Sequence, residues 1–300
     1  MSERDGKKSK LAVFASRLVS TLALWGVVVG VFLSDAPWAF TALVLFLALA
    51  GLWEFLKLFQ SAPGRGSRNI AALLGLGLLA GLAWGMANRE LSGLADFRWE
   101  MAGGIFALIL GACWRFRHGI EGRESVEAMN SGLLTFFYVP VMFGSFVLRL
   151  LFLPLEVTGA VPGAWLVLLM ITSAKFTDMG AYATGSLIGK HKMSPKISPG
   201  KTWEGFFGAL LFAQAGAWGI WALGGEALAW LGGVHVGVLG LLMALSAVSG
   251  DLVESVMKRS LAVKDSGKWL PGIGGSLDLI DSLCFAAPVM YFYLLACGLI

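Results

Sequence analysis

SGDLVESVMKRSLAVKDSGKWLPGIGGSLDLIDS, residues 249–282, is a polar island near the end of a very apolar chain. It gathers Asp251, Glu254, Lys258, Arg259, Lys264, Asp265, Lys268, Asp278 and Asp281 between two hydrophobic runs. Apolar helices have no need of such a cluster. With Asp251 opening a helical stretch, Glu254, Ser255 and Lys258 follow at i+3, i+4 and i+7, so carboxylates, hydroxyl and amine share one face. Asp278, Asp281 and Ser282 repeat the i, i+3, i+4 spacing where the last apolar run begins. Between them, the segment from Gly267 to Gly275 is rich in glycine and holds Pro271. Such a loop bends sharply and brings backbone N–H groups close to an anion. Two acidic faces, a basic bridge and a permissive loop point to a site for a metal and phosphate.

The rest of the chain sets the surroundings of that site. Its 300 residues are 57% hydrophobic and only 14% charged, with mean hydropathy +0.76. A soluble domain carries about a quarter charged residues, so this is an all-α, polytopic membrane protein. Apolar runs occupy Leu11–Leu33, Trp38–Phe59, Ile70–Met86, Met101–Trp114, Gly132–Leu153, Trp165–Ile188, Trp203–Leu223, Ala227–Val248 and Leu279–Ile300. A crossing takes about 20 residues, which gives about nine spans. Met101–Trp114 is short and glycine-rich, a candidate for a tilted or re-entrant segment. The basic start at Lys7, Lys8 and Lys10 resembles a signal peptide. The run behind it is longer than a signal core and shows no small-x-small cleavage site before Asp35, so it reads as a retained span.

Charge placement gives the orientation. With the N-terminus in the cytoplasm, Lys7, Lys8, Lys10, Arg65, Arg68, Arg115, Arg117, Arg123, Lys190, Lys192, Lys196, Lys201, Lys258, Arg259, Lys264 and Lys268 fall on that side. Arg89, Arg98 and Arg149 fall toward the other, so the reading is N-in, C-out. Both charged C-terminal loops then face the cytoplasm, and the net charge of +4 is no nucleic-acid footprint. Cys113, Cys284 and Cys297 lie in or beside apolar runs, and His118, His191 and His235 are scattered, which speaks against a zinc site or a disulfide scaffold.

Five ionisable residues lie inside apolar runs: Arg17, Glu54, Lys57, Lys175 and Asp178. Each costs on the order of 2.5–3.5 kcal/mol on insertion scales, so each calls for a partner or a watery cavity. Arg17 and Lys57 are close enough to the cytoplasmic ends to snorkel. Glu54 reads either as part of a site or, ahead of that, as a residue with a structural partner. Lys175 and Asp178 stand i, i+3 with Tyr182 one turn on, either as a structural ion pair or as part of a site.

Asp178 also opens a second constellation, DMGAYATGSLIGKHKMSPKISPGKTWEG, residues 178–205. Gly180, Gly185 and Gly189 leave a slim helix surface suited to close packing. The chain leaves the membrane through Lys190, Lys192 and Lys196, a positive-inside loop, and re-enters with Thr202 as N-cap. Ser198, Lys201 and Glu204 stand out there as candidate site residues.

Both constellations resemble the phosphatidate cytidylyltransferases (CDP-diacylglycerol synthases). Their signature, roughly S-x-x-K-R-x4-K-D-x-G-x2-L-P-G-H-G-G-x2-D-R-x-D, is filled by Ser255, Lys258, Arg259, Lys264, Asp265, Gly267, Leu270, Pro271, Gly272, Gly274, Gly275, Asp278 and Asp281. Ile273 stands where that pattern has His, and Leu279 where it has Arg. The D-x-G-A-Y step at Asp178 and the S-P-x-K-T-x-E-G run at Ser198 are similar as well, so the resemblance covers Lys175 to Ala287.

The resemblance implies a helical membrane enzyme with a cytoplasm-facing polar cavity, in the cytoplasmic membrane. Residues 1–10 would be a disordered cytoplasmic N-terminus, 11–164 the N-terminal transmembrane helices and 165–300 the catalytic transmembrane region with its cytoplasmic loops. It further implies CTP and phosphatidic acid as substrates, CDP-diacylglycerol and pyrophosphate as products, and Mg²⁺, with a second monovalent or divalent cation left open. Joining two anions demands cations, so Asp251, Asp278 and Asp281 are the expected metal ligands. Lys201, Lys258, Arg259 and Lys264 are the expected phosphate clamps. Asp178, Glu204 and Asp265 complete the expected catalytic set, with Ser198, Ser255, Gly272, Gly274 and Gly275 binding substrate. The partners are nucleotide, lipid and bilayer, not nucleic acid, and a homodimer is left open. Three other readings stand beside this one, and of these a non-catalytic membrane scaffold leaves the acidic pairs unexplained. Another CTP-using membrane enzyme, polyprenol kinase-like or acting on a different lipid phosphate, shares the nucleotide site. An ion-coupled transporter would put the ion on Lys175 and Asp178.

Overall fold

The computed structural model describes residues 19–87, 97–116, 122–153, 161–263, 266–267 and 274–300. The expected disordered segment 1–10 and Arg17 lie outside them. The first described element, α1, is the apolar helix Val19–Ser34. It is followed by α2 (Pro37–Leu58), α3 (Arg65–Ala87), α4 (Arg98–Arg115) and α5 (Arg123–Phe136). From α5 the chain continues through a π-helical stretch, Phe137–Ser145, into α6 (Phe146–Leu151). Pro140 lies within that stretch and has no N–H for the usual ladder. Then come α7 (Ala164–Ile188), a two-stranded hairpin, α8 (Trp203–Gly224), the short α9 (Glu226–Ala229), α10 (Gly232–Ser260) and α11 (Ser276–Ala296).

Six stretches among the described residues are long and apolar enough to cross a membrane: Pro37–Leu58, Arg65–Met86, Arg123–Leu151, Trp203–Gly224, Gly232–Ser260 and Ser276–Ala296. Two further helices of 18 residues or more are also interrupted by charge. Lys175 and Asp178 interrupt α7, and Arg98, Glu100 and Arg115 punctuate α4. The C-terminal half differs from the sequence expectation in one consequential way. The apolar run expected to end at Val248 belongs to a 29-residue helix that continues to Ser260. Asp251, Glu254, Ser255 and Lys258 therefore ride on the end of a long apolar helix, which holds them rigidly.

The hairpin was not foreseen. Lys192–Ser194 (β1) pairs antiparallel with Ser198–Thr202 (β2), with Lys192 opposite Thr202 and Ser194 opposite Ser198. Its second strand runs directly into α8, where the Thr202 hydroxyl accepts from the Gly205 N–H at 3.1 Å, the expected N-cap. The close packing expected of the glycines is present: a Cβ on Gly180 would lie 2.6 Å from Phe212 Cβ, and Gly185 and Gly189 both abut the Thr202 side chain. Helix α7 thus packs along α8, while α10 packs on α11 and α8. Where α10 meets α11 the backbones nearly touch, since a Cβ on Gly250 would lie 2.5 Å from the Asp281 carbonyl oxygen. That approach sets Asp251 beside Asp281.

Candidate active site

Three carboxylates converge at the α10–α11 contact. Asp251, Glu254 and Asp281 each offer an oxygen, and these oxygens lie within 4.8 Å of one another. Glu254 and Asp281 are buried and Asp251 is half-buried. Beside them is a cavity of about 860 Å³, lined by Asp178, Tyr182, Ser198, Lys201, Asp251, Asp278 and Asp281 among others. Helices α7, α8, α10 and α11 and the hairpin all contribute to its wall.

Two lysines reach this acid from different directions. Lys201, at the end of β2, places Nζ 2.7 Å from Asp251 Oδ2. Lys258, two turns along α10 from Asp251, donates to Glu254 Oε2 at 2.6 Å and to Asp278 Oδ1 at 2.7 Å. A third lysine, Lys175 on α7, lies 3.8 Å from Asp178 and crosses to α11, donating to the Leu279 carbonyl at 2.9 Å and the Ser282 hydroxyl at 3.3 Å. Lys175 therefore tethers α7 to the acidic helix and is more than Asp178's partner.

Asp278 has a different surrounding from the trio. Its Oδ2 accepts from the Gly275 N–H and from the Ser266 hydroxyl, each at 2.7 Å, and its other oxygen is held by Lys258. At the third position of α11 this carboxylate caps the helix start, where the helix dipole favours negative charge. Gly274, at φ +120°, would press a Cβ against Asp278, and a Cβ on Gly275 would lie 2.2 Å from Glu54 Oε2. These glycines admit carboxylates close to the backbone at the entrance to α11.

Glu54 completes that entrance. It is buried on α2, and its Oε2 accepts from the Leu277 N–H at 2.8 Å. The structural partner expected for Glu54 is the start of α11 and not a cation. Glu204 holds His191, with Nδ1 2.6 Å from Oε1, and also accepts from the His191 N–H, closing the base of the hairpin. Ser255 is half-buried on α10, and Arg259 is exposed at that helix's last turn. Ser198 lies on β2 and lines the cavity. Lys264, Asp265, Gly272 and Ile273 lie outside the described residues. Leu279 packs its side chain against the apolar core while its carbonyl serves Lys175.

Sequence reasoning noticed Glu254 on the shared face but left it out of the metal set. Its i+3 spacing from Asp251 was the available signal. Glu254 Oε1 is buried and has no hydrogen-bond partner among the described residues. A buried carboxylate oxygen left unpaired is costly, and three hard oxygens around one point are the donor set that suits Mg²⁺. The residues present fit such an ion.

The family described as the cytidylyltransferase family matches the chain over residues 15–297. The Escherichia coli (strain K12) protein YnbB, described as uncharacterized, is 41% identical over 145 residues, 48% of this chain and 47% of that protein. A phosphatidate cytidylyltransferase from Brucella suis is 43% identical over 117 residues, 39% of this chain and 42% of the relative. One from Haemophilus influenzae is 42% identical over 135 residues, 44% of this chain and 46% of the relative. The chain thus spans less than half the length of each of these relatives in the match.

Proposed function

The chain belongs to the cytidylyltransferase family, and from that premise we propose that it transfers cytidylyl from CTP to phosphatidic acid, giving CDP-diacylglycerol and pyrophosphate for phospholipid synthesis. The observation that carries this reading is the acidic trio Asp251, Glu254 and Asp281, set against Lys201 and Lys258 beside one cavity.

The chemistry joins two anions. An oxygen of the lipid phosphate forms a bond to the α-phosphorus of CTP, and the bond from that phosphorus to the bridging oxygen breaks. Pyrophosphate leaves with the electron pair. No protein nucleophile is required. Mg²⁺, held by Asp251, Glu254 and Asp281, would neutralise phosphate oxygens and draw charge from the leaving group. Lys201 on the hairpin side and Lys258 on the α11 side supply positive charge from two directions. Asp278 and Glu254 hold the Lys258 amine in place, and Lys175 fixes α11 against α7. The β1–β2 hairpin carries Lys201 and Ser198 into the cavity wall, and Glu204 anchors its base through His191. Lys264, Asp265 and Gly272 join this set through the resemblance alone.

We read α1, α4 and α7 as crossing the bilayer together with the six long apolar stretches, which makes nine spans with the N-terminus inside and the C-terminus outside. Cation placement supports that orientation, and it puts the cavity at the cytoplasmic face of the cytoplasmic membrane, where CTP is found. The test is incorporation of labelled cytidine from CTP into lipid by the purified protein with phosphatidic acid and Mg²⁺. Label entering a different lipid phosphate in a total lipid extract, and not phosphatidic acid, overturns the acceptor. Phosphoryl transfer to a polyprenol overturns cytidylyl transfer itself.

A further inference from the structure

A second polar pocket, of about 410 Å³, lies at the turn between α2 and α3 and shares no lining residue with the catalytic cavity. Its wall carries three cations, Lys57, Arg65 and Arg68, with Gln60, Asn69 and Trp53 beside them. None of the three cations has a carboxylate partner among the described residues. Arg68 is 1% exposed, and among the described residues its guanidinium donates to neutral oxygens, the carbonyls of Ala62 and Pro63 and the Ser131 hydroxyl. Arg65 lies one turn before it on the same helix and within its electrostatic reach. Like charges at i, i+3 repel, and a buried guanidinium without a counter-charge is costly. Lys57 sits with Nζ 3.4 Å from the centre of the Trp53 ring, a cation–π contact that leaves its charge uncancelled.

We propose that this pocket binds the phosphate of an anionic glycerophospholipid headgroup, at a site separate from the catalytic cavity. A phosphate offers several acceptor oxygens to guanidinium and ammonium donors at once, and amides such as Gln60 and Asn69 suit the remaining oxygens. The location selects a lipid over a free anion. The pocket is at the ends of two apolar helices, and Trp53 is the exposed, amphipathic ring expected at the membrane–water boundary. Basic pockets between membrane helices on the cytoplasmic side hold lipid headgroups by this chemistry. Glu54, one turn before Lys57, bonds the first turn of α11, so the pocket shares a membrane face with the acidic signature. The inference stands without the proposed reaction.

The test uses the full chain in nonionic detergent and counts bound phosphatidylglycerol by native mass spectrometry, with phosphatidylcholine and inorganic phosphate as competitors. Lys57→Gln with Arg65→Gln alters two exposed side chains and spares the buried Arg68. This variant is expected to bind phosphatidylglycerol about tenfold more weakly, while Asp251→Asn with Asp281→Asn leaves binding unchanged and neither competitor displaces the lipid. Undiminished binding by the Lys57 and Arg65 variant overturns the site. Loss of binding in the aspartate variant assigns the lipid to the catalytic cavity and likewise overturns it. Displacement by inorganic phosphate at equal concentration overturns the lipid headgroup as the source of the anion.

Discussion

Two clusters in which acids and bases meet among the described residues are built on opposite principles. In the N-terminal bundle, Arg149 Nη2 lies 2.7 Å from Glu100 Oε1 and its Nε 2.9 Å from the same oxygen. The Ser145 hydroxyl donates to that oxygen too, and the Phe97 ring lies 4.7 Å under the guanidinium. Among the described residues one positive and one negative charge meet here, and neither residue lines the catalytic cavity. Around the α10–α11 contact, among the described residues, five carboxylates, Asp178, Asp251, Glu254, Asp278 and Asp281, face three amines, Lys175, Lys201 and Lys258, so acids outnumber amines. That cluster opens on a cavity. An ionisable residue inside a membrane protein is thus not by itself a sign of function. What separates the two is whether the protein supplies its own counter-charge, and only the acidic cluster leaves room for a cation and an anionic substrate.

The comparison breaks most readily at Asp281. Asp281→Asn keeps the shape and removes one negative charge from the trio, so cytidylyl transfer should fall by about 10³-fold or more, the loss of several kcal/mol of charge stabilisation. Far-UV circular dichroism of the purified variant should match the wild type. Near-normal turnover at limiting Mg²⁺ removes Asp281 from the metal site. Chelating divalent ions should abolish activity in the wild type with the helices intact.

The neutral cluster should respond in stability and not in rate. Arg149→Met alone strands the Glu100 carboxylate and should cost about 3–5 kcal/mol, whereas Arg149→Met with Glu100→Gln should recover most of that loss. Thermal unfolding in detergent measures both. Activity per folded molecule should stay within about twofold of wild type in the double variant. A double variant that folds normally and is inactive would give the Glu100–Arg149 pair a role in the reaction and erase the distinction.

Glu254→Gln sharpens the comparison within the acidic cluster. The amide preserves a hydrogen bond to Lys258 geometry only in part, and Lys258 keeps Asp278. The expected change is a rise of roughly 10–100-fold in the Mg²⁺ concentration needed for half-maximal activity, with a smaller fall at saturating metal. An unchanged Mg²⁺ requirement would reduce Glu254 to a partner of Lys258.

How much of this was legible in the sequence follows the reach of helical periodicity. Asp251, Glu254 and Lys258 on one face, Thr202 as a cap, and the glycine face of α7 all depend on neighbours within a turn or two, and spacing reveals those. Contacts between distant segments carry no such mark. Glu54 meets α11 across 223 residues, and Glu100 meets Arg149 across 49. Lys175 reads as half of an i, i+3 pair, while its shorter bond goes to a carbonyl on α11, 104 residues away. The hairpin escaped because β1 and β2 span three and five residues rich in lysine, serine and proline, without the alternating apolar pattern that announces a strand. The demand of two joining anions for a hard-ligand metal site brought Asp251, Asp278 and Asp281 into one expected set. Geometry then separates Asp278, which caps α11 and holds Lys258, from the trio with Glu254.

The smallest expected effect is at Leu279, where this chain departs from the family pattern. The residue follows Asp278 by one position and is rotated about 100° from it around α11, and its side chain packs against the apolar core. What the site takes from it is the backbone carbonyl that accepts from Lys175 at 2.9 Å, and a substitution leaves that carbonyl in place. Leu279→Arg should therefore alter turnover by only about threefold or less, while the guanidinium, long enough to snorkel, keeps the helix in the membrane. Side-by-side initial rates of cytidine incorporation measure the change. A large gain in turnover with Arg at this position would mean that the acidic cluster of the native chain lacks a cation it needs. The excess of carboxylates over amines would then be a deficiency to be repaired from the protein, and not a place kept for metal and substrate.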